Sequence, residues 1–371
     1  MPKNNVPTDT TGLPQLDAAL CGILAGDNIV WNVDDVAQYR RVAVSYAEAA
    51  KRDGRRLVYF RFARHPRLVP KGFCKECRLD PEAGFEVFLH TVHEVAGEQG
   101  PGAYYLFDCL SDLATNWCSD AMLGNFFMLT CPTLYRLDTV AYFGLLRGRH
   151  SRHAVDPVRA TTQLFLEIYG HEDRLFVLPI KTQFRHSPVI HLMLEWDGAE
   201  TFSVVRSSAL LTQVLGRVQP NSRRIETYGD DVVRRAEACL QSDPEGSEAG
   251  ELKRQLIGMM VTREESIRPL VEKYLTLEDV LEVRWRMFGT GLIGGKAVGM
   301  LLARKIAERE CPELGAKLEA HDSFFIGSDV FYSFLVRNGL WEIREKQHSP
   351  DTFLDGVDEA QERILTGRFS N

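Results

Sequence analysis

The residues of this chain best placed to do chemistry lie late, in Phe288–Arg304, FGTGLIGGKAVGMLLAR, where five glycines surround one lysine just before a helical pattern. Glycine lets backbone approach an anion closely. The start of a helix offers free amides and a positive dipole end, and a lysine adds a mobile point charge. Gly294, Gly295 and Lys296 are therefore candidates for contacting phosphate. The stretch is not the G-x-x-x-x-G-K-[ST] loop, because Ala297 follows the lysine. The plainer reading is a glycine-rich helix entry with a solvated lysine. Three other groups could carry chemistry. Asp108 ends the apolar run AYYLFDC, and Arg147, Arg149, His150, Arg152 and His153 form a basic cluster after another apolar run, a candidate anion loop. Cys74 and Cys77 form the one C-x-x-C, and His90 and His93 could complete a zinc set only if the fold brought them close. Reduced thiols in a surface loop, with no metal, are the expectation there.

The bulk properties bound what these groups can serve. With 371 residues, 44% apolar and 26% charged, the chain reads as globular, with length for two domains. A net charge of −7 gives no global field toward nucleic acid or anionic lipid. No apolar run reaches the length of a membrane span, and the polar start MPKNNVPTDTTG lacks a signal-peptide core. A cytoplasmic location, with neither nucleic acid nor membrane as partner, is the expectation.

Strand-like runs at 28–33, 56–62, 103–109, 139–146 and 174–180 are continuously apolar, as in a parallel sheet buried on both faces. Helical patterns at 36–52 and 84–98 alternate with them, predicting a doubly wound α/β layer. HLMLEW and TFSVVR flank Asp197-Gly198-Ala199-Glu200 and predict a closing antiparallel hairpin. From about Val218 the chain turns polar. DDVVRRAEACL predicts a helix, and QSDPEGSEAGEL reads as a linker or exposed loop. Thr276 and Asp279 form a capping-box pattern. Val298, Leu301, Leu302 and Ile306 share one helical face, DSFFIGSDVFYSFLVRNGLW predicts a strand, a turn and an aromatic-rich helix, and DEAQERILTGRF predicts an amphipathic helix ending at Gly367.

The first part, residues 8–210 of a domain expected at 8–217, resembles the RecA/KaiC-like ATPases through Thr11, Gly12, Leu13, Pro14, Leu16, Asp17 and Gly26. The resemblance implies a phosphate loop after the first strand, a magnesium-holding acid at Asp108 and a catalytic glutamate after the 56–62 strand. The sequence has Asn32-Val33-Asp34-Asp35-Val36-Ala37-Gln38-Tyr39 at the first place, and Ala63 and Arg64 at the last. Two carboxylates repel phosphate, so this domain is expected to be a non-hydrolysing pseudo-ATPase, with Asp108 as a degenerate Walker B acid.

Residues 275–371 resemble the opening of the ATP-binding domain shared by phosphoenolpyruvate synthase and pyruvate phosphate dikinase, on Gly294-Gly295-Lys296 and the downstream DSFFIGSDVFYSFL. That implies ATP and Mg2+ for the complete domain, ATP phosphates at Gly294, Gly295 and Lys296, and further parts absent from this sequence: the rest of an ATP-grasp fold and a phosphohistidine domain, in cis or in trans. Arg206-Ser207-Ser208 resembles a segment of those parts but lies before the lysine loop, and is read as coincidence. The expected fold is thus an α/β RecA/KaiC-like parallel-sheet domain closed by an antiparallel hairpin (8–217), a helical linker (218–274) and a partial ATP-grasp-like α+β lobe (275–371). Two functions follow as expectations. One is the N-terminal part of a dikinase-like phosphotransferase, inactive alone. The other is a regulatory or oligomerising protein, its partner a second copy of the chain, built on the pseudo-ATPase domain.

Overall fold

The structure, a computed structural model, describes residues 9–197, 201–216, 227–244, 246–319 and 322–369. The chain divides into two units, residues 1–116 with 126–225, and residues 117–125 with 226–371.

The first unit is built on a nine-stranded sheet. Its strands are β1 (Asn28–Val33), β2 (Leu57–Arg61), β3 (Lys75–Arg78), β4 (Tyr104–Cys109), β5 (Val140–Leu146), β6 (Leu164–His171), β7 (Arg174–Thr182), β8 (Leu194–Trp196) and β9 (Phe202–Val204). The order is β3-β2-β4-β5-β1-β6-β7-β8-β9. Pairing is parallel from β3 to β6 and antiparallel from β6 to β9. The helices are α1 (Pro14–Ala19), α2 (Val36–Arg52), α3 (Phe85–Gln99), α4 (Ser111–Trp117), α5 (Asp120–Arg136, which runs on from the second unit), α6 (Arg152–Thr161) and α7 (Ser208–Gly216).

One face of the sheet is covered by α1 and α2. Tyr46 of α2 stacks on Tyr142 and Tyr104, with ring centroids 4.0 and 5.2 Å apart. The other face carries an aromatic layer in which Phe107 stacks on Phe60 and Phe143, and Phe126 of α5 meets Phe88 of α3 edge-on. The alternation of side chains along each strand delivers these two sets to opposite faces.

The TTGLPQLD segment earns its residues by packing. Asp17 accepts hydrogen bonds from the hydroxyls of Thr10 and Thr11 and from the Thr11 amide at 2.9 Å. Pro14 starts α1, and Leu13, Leu16 and Leu20 are buried in the α2-side core. Gly26 has φ +96°, and a Cβ there would lie 2.9 Å from the Tyr135 ring. At the start of β1, Asp27 takes a two-pronged ion pair from Arg185 at 2.6 and 2.7 Å. Burial still pushes its carboxyl up to about 6.

Four expectations change. Strand β6 lay outside the expected runs because Glu167 interrupts its apolar residues. That carboxylate is accommodated by the Asn32 amide at 3.0 Å and the Tyr169 hydroxyl. The 174–180 run is a strand, but antiparallel to β6, since Glu172 at φ +54° closes a hairpin in place of a crossover. Lys75–Arg78, expected as loop, is an edge strand beside β2; an edge strand needs partner backbone rather than apolar side chains. QSDPEGSEAGEL, expected as linker, enters a helix at Ser247 that buries Ala249, Leu252 and Leu256. The β8–β9 hairpin forms as expected. Residues 198–200 of its turn and the 217–226 part of the polar segment lie outside the described residues.

In the second unit, α8 (Tyr228–Ser242), α9 (Ser247–Leu256), a π-helical turn at Ile257–Val261, α10 (Arg268–Tyr274) and α11 (Leu277–Trp285) surround a core shared with α12 (Gly295–Glu310). A short parallel pair, β10 (Met287–Phe288) and β11 (Phe325–Ile326), closes it. Then α13 (Pro312–Gly315), α14 (Ser328–Arg337), α15 (Trp341–Lys346) and α16 (Val357–Thr366) complete the described elements. Residues 228–274, expected as helices of a linker, thus build the same core as the glycine–lysine helix. The Thr276–Asp279 capping box forms in both directions. Helix α16 ends before Gly367 as expected but buries none of its residues.

Candidate functional site

The glycine–lysine stretch is two structures in one. Its first half, between β10 and Ile293, is fastened to the start of α14. The Thr290 amide and hydroxyl both donate to the Asp329 carboxylate, at 2.8 and 2.7 Å. The Leu292 amide donates to Ser328 Oγ at 3.2 Å, and the Ser328 amide returns a bond to the Leu292 carbonyl at 2.9 Å. The Ile293 amide reaches the Met260 carbonyl on the π-helical turn at 2.8 Å. Two glycines are needed here. Gly289 and Gly291 have φ +78° and +80°, and Cβ atoms on them would lie 2.4 Å from Asp329 Oδ1 and 2.5 Å from Ser328 Oγ.

The second half is open. Helix α12 begins at Gly295, so Lys296 sits in its first turn rather than before it. The N-cap is Gly294, which has no side chain to satisfy the first amides, and no acid lies in the first turn. Gly294, Gly295, Lys296 and Gly299 are exposed. A Cβ on any of these three glycines would meet nothing within 4 Å, and Gly294 adopts ordinary extended dihedrals of −69° and 148°. Neither conformation nor internal packing calls for glycine at 294, 295 and 299. Glycine inside a helix costs about 1 kcal/mol relative to alanine, and a lysine at the positive end of the dipole adds a small penalty unless an anion is near. Val298 and Leu302 anchor the opposite side of the helix in the core, with Leu301 and Ile306 packed against it.

The acidic turn after β1 is tied up in internal bonds. Asp35 caps α2 by accepting from the Gln38 amide at 2.8 Å, and Gln38 Oε1 accepts from the Asp34 amide at 2.9 Å. Asp34 faces Arg147, whose Nε is 3.3 Å from Asp34 Oδ1. Arg147 also donates to the carbonyls of Asn32 and Ile168 and lies 3.7 Å over the Tyr169 ring. Arg147 therefore braces the end of β1 against the middle of β6, and does not stand with Arg149 and Arg152, which are exposed. His150 is buried, 2.7 Å from Ser111 Oγ.

Asp108 is fully buried, and each carboxylate oxygen is engaged. Its Oδ2 accepts from Arg61 and from the amides of Phe62 and Ala63 at 2.9 and 2.8 Å, and its Oδ1 accepts from the Tyr59 hydroxyl. The carboxylate is thus held by an arginine, a hydroxyl and two amides within the fold. Arg64 is at the surface, 3.4 Å from Glu82.

Cys74 and Cys77 are free half-buried thiols, Cys77 within β3. Burial pushes the Cys74 thiol up to about 11 and raises Cys77 as well, the reverse of a reactive pair. Among the described residues no group of three or more His, Cys, Asp and Glu is gathered as metal ligands would be. A cavity of about 370 Å3 on α11 is lined by Glu278, Asp279, Glu282, Trp285 and Arg286. Its three carboxylates make it a poor receptor for phosphate.

No family model matches the chain, and no curated protein matches it. The case for a function therefore rests on the geometry. Gly294–Lys296 stood out in the sequence, whereas Ser328 and Asp329, which hold the loop, did not. The signal was a Gly-Ser-Asp start to the aromatic helix, residue types that favour the first positions of helices.

Proposed function

We propose that this chain supplies the phosphate-contacting loop of a nucleotide-binding domain of the phosphoenolpyruvate synthase and pyruvate phosphate dikinase type, with ATP·Mg as the ligand. The observation that carries this reading is the contrast within one loop. Gly289 and Gly291 are demanded by the fold, whereas Gly294, Gly295 and Gly299 are demanded by nothing the chain itself places there. Open amides, an uncapped helix start and Lys296 in the first turn are what a triphosphate would use.

A second feature supports a domain completed by further structure. In the β10–β11 pair, Met287 and Phe325 face the core, while Phe288, Ile326 and the adjoining Phe324 are 62%, 55% and 65% exposed. Short parallel strands of this kind are ordinarily covered on both faces. In this reading the remaining ATP-grasp lobe, in cis or in trans, covers the outer one. Phosphoryl transfer needs several groups placed at once, so the chain alone binds and does not turn over.

For the first unit we infer a RecA/KaiC-like pseudo-ATPase domain. It has its acidic turn at the phosphate place, closed by Arg147 and Gln38, and its Walker B-type acid committed to Arg61. Calorimetry with ATP·Mg on the wild type and Lys296→Ala tests the assignment. The expected result is a heat that weakens about tenfold or more in affinity when the lysine is removed, a change of about 1.4 kcal/mol. Equal isotherms for the two would leave the loop as a helix entry and favour the regulatory, oligomerising reading.

A further inference from the structure

We propose that Asp329 is a positioning residue for the phosphate loop: its carboxylate holds both polar groups of Thr290 and thereby sets where Gly294, Gly295 and Lys296 are presented. The ligand in this inference rests on the nucleotide reading above; the latch itself rests only on geometry within the second unit.

The loop leaves β10 at Phe288 and must reach the first turn of α12 in six residues. Two of those six, Gly289 and Gly291, occupy left-handed backbone. Without restraint such glycines are the most freely moving points of a chain. The start of α14 supplies the restraint. Asp329 is buried and accepts the Thr290 amide and hydroxyl, and Ser119 Oγ approaches its Oδ2 at 3.5 Å. The same turn takes the Phe288 carbonyl through the Gly327 amide at 2.8 Å and brackets Leu292 through Ser328. Gly289 is matched to this carboxylate, since any Cβ would strike Oδ1.

A carboxylate used only to cap α14 would not need Thr290. Accepting from its amide and hydroxyl together fixes that residue at two points, and the chain runs from there through Ile293, tied to Met260, into the open helix start. Burial raises the Asp329 carboxyl above its usual range, and hydrogen bonds from Thr290 hold it down in part. Misplacing a binding group by about 1 Å is enough to lose large factors in function, so a residue that touches no ligand still sets its affinity.

The test combines hydrogen–deuterium exchange over residues 287–297 with ATP·Mg calorimetry on the full chain. Asp329→Ala is expected to raise exchange in that segment about tenfold or more and to weaken ATP·Mg by about tenfold. Asp329→Asn, whose Oδ1 still accepts from the Thr290 amide, is expected to restore most of both. Lys296→Ala is expected to weaken ATP·Mg while leaving exchange as in the wild type. Should Asp329→Ala not fold, Thr290→Ala removes the hydroxyl arm and should raise exchange severalfold. Wild-type exchange in both alanine variants would overturn the inference, and so would raised exchange with ATP·Mg affinity intact. The nucleotide reading fails separately, by a wild type that shows no heat or a Lys296→Ala variant that loses none. A latch seen by exchange would then stand without a ligand, and the assignment of Asp329 to a phosphate loop would be overturned with that reading.

Discussion

Alanine at position 12 is expected to cost the first unit about 2–5 kcal/mol, a large share of the stability of an ordinary domain. Two independent terms add. Gly12 has φ +83°, a conformation that disfavours a side chain by about 1–2 kcal/mol. Its new Cβ would lie 2.2 Å from the Ser45 carbonyl oxygen and 2.8 Å from the Tyr46 nitrogen, both backbone atoms in the middle of α2. Relief would require the 9–17 segment to lift off α2. That in turn strains the Tyr142 hydroxyl bond to the Thr11 carbonyl at 3.1 Å and exposes Leu13 and Leu16. Overpacking of this kind costs about 1–3 kcal/mol, and more against rigid backbone. Gly54→Ala is the control: φ is +63° there, but nothing lies within 4 Å of the added Cβ. Urea unfolding should show about 1 kcal/mol for Gly54→Ala and several times that for Gly12→Ala. Equal losses would mean that Gly12 is present for its dihedrals alone and that the segment does not pack on α2 as described.

Arg61→Ala should be nearly as damaging, by a different route. The guanidinium is mostly buried against a fully buried Asp108. Breaking a buried pair by removing one partner costs about 3–5 kcal/mol, because the remaining charge is stranded. Asp108 would keep the Tyr59 hydroxyl and two amides, which soften the loss but do not neutralise it. Arg64→Ala, three residues on, removes only an exposed pair with Glu82 and should cost well under 1 kcal/mol. Denaturant midpoints for the two variants measure the contrast. If Arg61→Ala were as mild as Arg64→Ala, the buried Asp108 carboxylate would not depend on the arginine.

The sequence was most legible where one physical demand dominated. Continuous apolar runs placed β1, β2, β4 and β5, and a threonine with an aspartate three residues on placed the start of α11. The TTGLPQLD motif pointed to a specific arrangement, and in the structure Asp17, Gly12, Pro14 and its two leucines each have a packing reason. Legibility failed where a tertiary partner changed a residue's meaning. Glu167 hid β6 because one of its acceptors is satisfied by Asn32, which no local window contains. Strand β3 was hidden because its stability comes from β2. The direction of β7 depended on Glu172 adopting a left-handed turn, a conformation not written in its residue type.

The basic cluster shows the same thing at a candidate site. Arg147 looked like the companion of Arg149 and Arg152, yet its side chain belongs to Asp34, the end of β1 and the middle of β6. Conversely, the five glycines around Lys296 looked alike in the sequence, and only the structure separates two that the fold requires from three that it does not. Asp329 was invisible as a partner of Thr290 because nearly forty residues lie between them.

The most direct measurement is the structure of the chain with a nonhydrolysable ATP analogue and Mg2+. Triphosphate density is expected against the amides of Gly294 and Gly295 and the Lys296 ammonium, with the turn at Asp34 and Asp35 empty and Arg147 still on Asp34. Triphosphate seated at the end of β1, with the Gly294–Lys296 helix start bare, would contradict that expectation.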